Sequence, residues 1–329
     1  MNSSVWMTVR RSVSTACMLV SMVVSVGAEA QVYPAKSIRF ILPSPAGSPA
    51  DNIARPLAQS LSELLGQPVV IDSRAGANGN IGAELLAKSA PDGHTLLQVS
   101  TAFTISAATY AKLPFDPIKD FAPVGLIAKS DIVFVVRPDL PAKTVKELIA
   151  LSRQMPGKLT FASSGNGSSV HLAGELLNTV AGIDMLHVSF KGVVQALIDV
   201  VGGRVDMMFI GVSGALPHIK TGRLRALALA SSARAQNLPG VPTMAEAGLP
   251  GFEVPSNFGI LARAGTPRNV IAKLNSTLVE ILQTQDTRTR FAAVGVEPVT
   301  NTPEEYAQYI RSEIDKWGKV AKAARLEPL

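Results

Sequence analysis

The 329-residue sequence predicts an α/β protein built as two doubly wound lobes with a ligand cleft between them. Three observations predict it. Strand-like and helix-like segments alternate almost throughout, the pattern of parallel sheets covered on both faces. The length is long for one such sheet and comfortable for two. Two stretches, near Ile127–Val133 and near Ala230–Phe258, read as switch regions, and the second is dense in turn signals: "NLPGVPT", "GLPGF" and "VPSN". Two crossings put residues 31–130 with 255–329 in one lobe and 131–254 in the other, the last helices packing back onto the first.

The elements follow in order. Residues 1–30 read as a cleavable secretory signal peptide: Arg10 and Arg11 start it, an apolar run covers Ala16 to Val26, and Ala28-Glu29-Ala30 ends it in an A-x-A pattern. The run is too short for a permanent anchor, and no other stretch is long and apolar enough for a transmembrane helix. Cys17 lies inside that signal, so the exported chain has no cysteine and its stability rests on a core rather than on disulfides. Ser37–Leu42 reads as a buried strand. Pro49–Leu65 reads as a helix, with Ile53, Leu57, Leu61 and Leu64 on one face. Val69–Ile71 is a short strand. The glycine-rich turn "RAGANGNIG" leads into a helix over Ile81–Ser89. Thr95–Val99 and "IVFVVRP" are strands. Helix and strand then alternate: Lys143–Gln154, Leu159–Ala162, Ser169–Ala181, "HVSF", Val193–Val201, Asp206–Ile210, Ala215–Lys220 and Arg225–Ala230. Helices over Pro267–Gln283 and Pro303–Ala324 close the chain.

Two loops carry the candidate chemistry. In "LPSPAGSPAD", Ser48 fits a helix cap, Pro49 the first helical position and Asp51 the third. Bare N–H groups at a helix N-terminus favour an anion, by about 0.3–1 kcal/mol at the surface. The same residues also fit an ordinary strand-to-helix turn in which Asp51 serves only its own helix. The second loop, "FASSGNGSSVHLAGE", again runs from strand through small residues to helix. Ser164, Asn166, Ser168 and Ser169 supply polar groups, and Gly167 leaves the backbone open to a ligand. Both loops follow strands, where open α/β sheets bind ligands. Two such ends facing one cleft suit a ligand with one or two carboxylates.

Other chemistries find no pattern. "GVSGA" is not a nucleophile elbow, because glycine follows Ser213 directly. "GANGNIG" and "GNGSSV" both miss the dinucleotide fingerprint. His94, His171, His187 and His218 show no metal-ligand spacing and read as structural, His171 on its helix face and His187 in a strand. A net charge of +6 fits an anionic ligand. Scattered Lys and Arg, with only 5% aromatic residues, argue against nucleic acid. No cofactor, no metal and no catalytic residue is expected.

Several motifs in fixed order carry a resemblance. "YPAKSIRFILPSPAGSPADNIARPLAQSLSELLGQPVVIDSRAGANGNIGAE", "APDGHTLL", "KLPFDPIKDFAPVGLIA", "LTFASSGNGSSVHLAGELL", "GRVDMMF", "ALPHIKTGRLRALAL", "LPGVPTMAEAGLPGFE" and "TPEEYAQYIRSEIDKW" closely resemble the Bug family. Its members are TctC-like extracytoplasmic substrate-binding proteins of tripartite tricarboxylate transporters. The resemblance covers the whole chain after the signal. It implies a type II periplasmic binding-protein fold and ligand capture without catalysis, in the periplasm, by a monomer that docks on the membrane components of such a transporter. It also implies a carboxylate held by Ala46, Gly47, Ser48 and Asp51 on one lobe and by Ser164, Asn166, Gly167, Ser168 and Ser169 on the other. Ser100, Thr101, Lys191 and Gly192 are weaker candidates. A periplasmic sensor on the same fold, and more remotely an enzyme, stand as alternatives.

Three departures from the family pattern bear on the ligand. Ser44-Pro45-Ala46-Gly47-Ser48 replaces the usual Phe-Pro-Ala-Gly-Gly. Ser189-Phe190-Lys191-Gly192 lacks the tyrosine of Pro-Tyr-Lys-Gly. Ile210 and Gly211 stand where many members carry an aspartate after "VDMMF". A buried ammonium needs a counter-charge, so these residues predict an amine-free carboxylate, a di- or tricarboxylate or an aromatic acid.

Overall fold

The computed structural model describes residues 33–44, 47–254 and 256–323. The predicted signal peptide lies outside the described residues. The described residues from Lys36 onward form one compact unit built on two sheets. In the first, β1 (Ile38–Leu42) pairs parallel with β2 (Val69–Ser73) and β3 (Thr95–Ser100). β10 (Ser256–Arg263) runs antiparallel between β3 and β4 (Phe121–Ser130), and the short β11 (Glu297–Pro298) edges β4. The second sheet has the order β7-β6-β8-β5-β9: Leu186–Ser189, Thr160–Ser163, Met207–Gly211, Ile132–Val136 and Arg225–Leu229.

Both sheets are therefore mixed, not parallel as the alternation predicts. The strands that break the rule are β5, antiparallel to β8 and β9, and β10, antiparallel to β3 and β4. Each arrives from the other sheet and not through a strand–helix–strand unit, so the parallel direction such a crossover imposes does not apply. Asp131 alone links β4 to β5. Where crossovers do operate, β1, β2 and β3 run parallel, as do β6, β7 and β8.

Helices cover the sheets: α1 (Pro49–Leu65), α2 (Asn80–Ala87), α3 (Thr101–Thr109), α4 (Val145–Gln154), α5 (Ser169–Ala181), α6 (Val193–Val201), α7 (Val212–Lys220), α8 (Arg268–Gln283), α9 (Gln285–Ala293) and α10 (Pro303–Ala323). In the first lobe, Ile41, Leu97, Val99 and Leu261 from the sheet pack with Leu86, Phe103, Phe115 and Phe121. In the second, Phe134 stacks on Phe209, and Phe209 on Phe252, at centroid separations of 4.5 and 5.8 Å. Asp206 fastens three strands of that lobe. It accepts hydrogen bonds from Arg137 Nε at 2.8 Å and from the backbone N–H of Thr160 at 2.8 Å.

The last helix departs from expectation. Tyr306 and Ile310 of α10 join the first lobe's core, but Trp317 and Val320 join the second lobe's core, together with Ile105 of α3. Between the halves, buried Glu313 accepts a hydrogen bond from Trp317 Nε1 at 3.0 Å and pairs with Lys316 at 3.3 Å. One 21-residue helix thus serves both cores.

Candidate functional site

The site grows from where strands end. β1 and β3 are parallel neighbours, so the chain emerging from Leu42 and from Ser100 leaves the sheet on the same side. Antiparallel β10 begins there too, with Phe258 opposite Ser100. A cavity of about 410 Å³ opens at this edge, lined by Pro43 and Ser44 after β1, by Gln98, Val99 and Ser100 of β3, and by Phe258. That is the carboxyl edge at which open α/β sheets bind ligands, and the volume suits a small molecule. Phe103 forms a wall fixed from behind, stacked on Phe115 at 6.1 Å and meeting Phe121 edge-on at 5.4 Å. A second wall is the loop of residues 75–79. Ala77 (φ 46°) and Asn78 (φ 55°) occupy the left-handed region there, uncommon for residues with a side chain. Lys191, following β7, reaches the cavity from the second lobe and is, among the described residues, the one charged residue in its lining.

The two helix starts share one device. Ser48 Oγ accepts the N–H of Asp51 at 3.2 Å, and Asp51 Oδ2 accepts the N–H of Gly47 at 2.8 Å. Ser168 Oγ accepts the N–H of His171 at 3.3 Å, and His171 Nδ1 accepts the N–H of Gly167 at 3.1 Å. Each is a capping box that reaches one residue further back than usual. The acceptors differ in charge. Asp51 is an anion whose carboxyl is held below the usual range by the guanidinium of Arg55 at 2.9 Å, with help from Gly47. His171 is neutral: burial, then the neighbouring His187, lower its pKa to about 4. The α1 start therefore holds a carboxylate of its own, whereas the same position at the α5 start holds a neutral ring.

Beneath the α5 start lies a stack of rings. His171 and His187 lie 3.9 Å apart between centroids, and Phe161 stacks on His187 at 5.0 Å. His187 Nε2 lies 2.6 Å from Ser163 Oγ, which also accepts the N–H of Gly165 at 3.1 Å. The stack sets the height of the 163–168 loop. The same loop abuts the turn carrying Lys191, since the N–H of Phe190 donates to Ser163 O at 3.1 Å.

Of the residues singled out from sequence, Ser100 and Lys191 line the cavity. Gly47, Ser48 and Asp51 form the cap just described, beside lining residues Ser44 and Ala50, and do not line it themselves. Ala46 lies outside the described residues. Thr101 is buried and its Oγ1 accepts the N–H of Asn257 at 3.0 Å, tying α3 to β10. Ser164, Asn166, Gly167, Ser168 and Ser169 form the second lobe's loop and helix start, next to Lys191 and outside the cavity lining. Gly192 precedes α6. Ile210 is buried in the second lobe's core, and Gly211 precedes α7. Sequence reasoning passes over Gln98, Phe103, Phe258 and the 75–79 loop. The loop has a local signal, Gly-Ala-Asn-Gly; Gln98 and Phe258 share a cavity only through strand pairing, and Phe103 sits on α3, which follows β3 directly. Among the described residues no group of three or more His, Cys, Asp or Glu is placed to hold a metal ion, and no helix is long and apolar enough to cross a membrane.

Comparison with known proteins places these features in a family. Residues 53–326 match the family described as Tripartite tricarboxylate transporter family receptor. The chain is 38% identical over 295 residues to Protein BugT of Bordetella pertussis, covering 89% of this chain and 90% of that one. The solved structure of R. palustris Rpa4515 with adipate is 34% identical, with a TM-score of 0.80, covering 90% of this chain and 100% of that one. MatC (Rpa3494) from Rhodopseudomonas palustris with bound malate is also 34% identical, with a TM-score of 0.76, covering 88% and 99%.

Proposed function

The chain belongs to the tripartite tricarboxylate transporter receptor family, and on that premise we propose that it captures a small, amine-free organic carboxylate outside the cytoplasm and delivers it to such a transporter. One observation carries the reading: a cavity at the strand ends of one lobe whose single charged wall residue among the described residues, Lys191, comes from the other lobe. Lys191 makes no ion pair among the described residues. A carboxylate supplies the missing counter-charge; an ammonium finds no acidic residue among the described residues of the lining. Phe103, Phe258 and Val99 provide apolar surface for the ligand's body.

The attraction for an anion is one-sided in this reading. The second lobe offers Lys191 and the uncompensated start of α5, while the first offers shape. We take residues 31–130 with 255–329 as the first lobe and 131–254 as the second, modified by the tip of α10, which belongs to the second lobe's core. A ligand bound in the first lobe draws the 164–169 loop over it, and closure is favoured by as much as the ligand's affinity differs between open and closed forms. The closed form then docks on the membrane components. The adipate and malate bound by the two relatives support the ligand class. The periplasm is the proposed location, and no reaction is proposed.

Thermal-shift and calorimetric titration with malate, citrate, adipate, benzoate, glutamate and aspartate tests this. Binding of at least one amine-free acid is expected, weakened about tenfold or more by Lys191→Met, with that loss shrinking at high salt. Tight binding of glutamate or aspartate, with no binding of the others, contradicts it.

A further inference from the structure

We propose that Gln98 reads a hydrogen-bond donor on the ligand, so that the preferred guest is a hydroxylated carboxylate; this rests on the carboxylate reading above. Gln98 sits on β3 in the lining of the cavity and is 1% exposed. Its amide orientation is fixed. Nε2 donates to the carbonyl oxygen of Ala50 at 3.1 Å, and that oxygen only accepts. Oε1 is thereby the free end, and it is buried without a hydrogen-bond partner. A buried carbonyl oxygen left unpaired is costly, and a bound molecule that pairs it recovers that cost.

Two lining side chains have partners of their own. Ser100 Oγ caps α3, accepting the N–H of Ala102 at 3.3 Å, and Asn78 Nδ2 points to the Tyr110 hydroxyl at 3.4 Å. No described group bonds Oε1 in this structure, so a donor on the guest finds it open. A carboxylate at neutral pH accepts and does not donate, so a plain dicarboxylate leaves Oε1 unsatisfied. An ammonium donates but lacks a counter-charge in the lining. A hydroxyl beside a carboxylate satisfies both: the acid group answers Lys191 and the hydroxyl proton answers Gln98. Sites built to hydrogen-bond a ligand hydroxyl reject the analogue without it far more strongly than an apolar pocket rejects a missing methylene.

Calorimetry with three matched acids tests the proposal on the intact protein: malate, succinate, and 2-methoxysuccinate, which keeps the oxygen and loses the proton. Malate is expected to bind at least about tenfold tighter than succinate, and 2-methoxysuccinate no tighter than succinate. In Gln98→Leu, with folding checked by thermal denaturation, malate and succinate are expected to bind equally. Gln98→Met replaces it should the leucine variant not fold, and the methoxy comparison needs no variant. Equal binding of malate and succinate by the unaltered protein overturns the proposal and leaves the carboxylate reading standing. A Gln98→Leu loss shared equally by both acids, the mark of a bridging water, overturns it likewise, as does a preference that survives the substitution. Failure of every carboxylate to bind overturns both.

Discussion

Asp51 and His171 occupy the same position in the same local device and do opposite things for an anion. The first brings its own negative charge to a helix start; the second brings a neutral ring. Ser-Pro-x-Asp is legible in the sequence as a helix start, and Asp51 serves that helix through Gly47 and Arg55. What sequence alone cannot show is that this service occupies the Gly47 N–H and neutralises the dipole. Its counterpart turns on the protonation state of His171, which burial decides. The folded-state pKa of about 4 lies below the ordinary 6.5, so the unfolded chain takes up the proton first as pH falls. Stability is therefore lost as pH drops from about 6.5 towards 4. His187, also lowered by burial, acts with the same sign, and Asp51 adds to it at lower pH. Glu175, 3.7 Å from His171 Nε2 and raised by burial, has the opposite sign. His171→Asn keeps an acceptor for the Gly167 N–H without titrating. Thermal melts from pH 7 to pH 5 are expected to show a shallower loss of stability in this variant; an unchanged slope contradicts the assignment.

At the scale of elements, legibility follows the range of the signal. α1, α5 and α8 carry one apolar stripe each and can be read from spacing alone. α3 cannot: "TAFTISAAT" is small and β-branched with no dominant face, and it lies between two lobes that need different faces of it. β10 is hidden among turn residues, because what makes it a strand is pairing with β3 and β4, both more than a hundred residues earlier. Gln98 and Phe258 enter the site through those same pairings, which is why neither is visible beforehand. α10 is legible as a helix but not as a strut, since its periodicity is continuous while its partners change midway. Trp317, fully buried and bonded to Glu313, anchors its far half in the second core. Trp317→Ala is expected to cost about 3–5 kcal/mol, read by denaturant unfolding, with Glu313 left buried and missing a donor. A cost below about 1 kcal/mol, the range of a surface change, contradicts a shared core at that end.

For the whole molecule, the two lobes divide the labour. The first lobe offers a shaped, mostly uncharged cavity at the ends of β1 and β3; the second offers the cation and the open helix dipole. In the proposed function neither half suffices for a carboxylate, and this incompleteness would tie capture to closure. A crystal structure of the protein grown with malate tests that division most directly. Expected is one carboxylate against Lys191 and the start of α5, with the carbon chain lying in the cavity beside Phe103 and Phe258 and the 164–169 loop closed over it. Malate bound in the first lobe alone, with Lys191 and the α5 start turned away from it, contradicts the account.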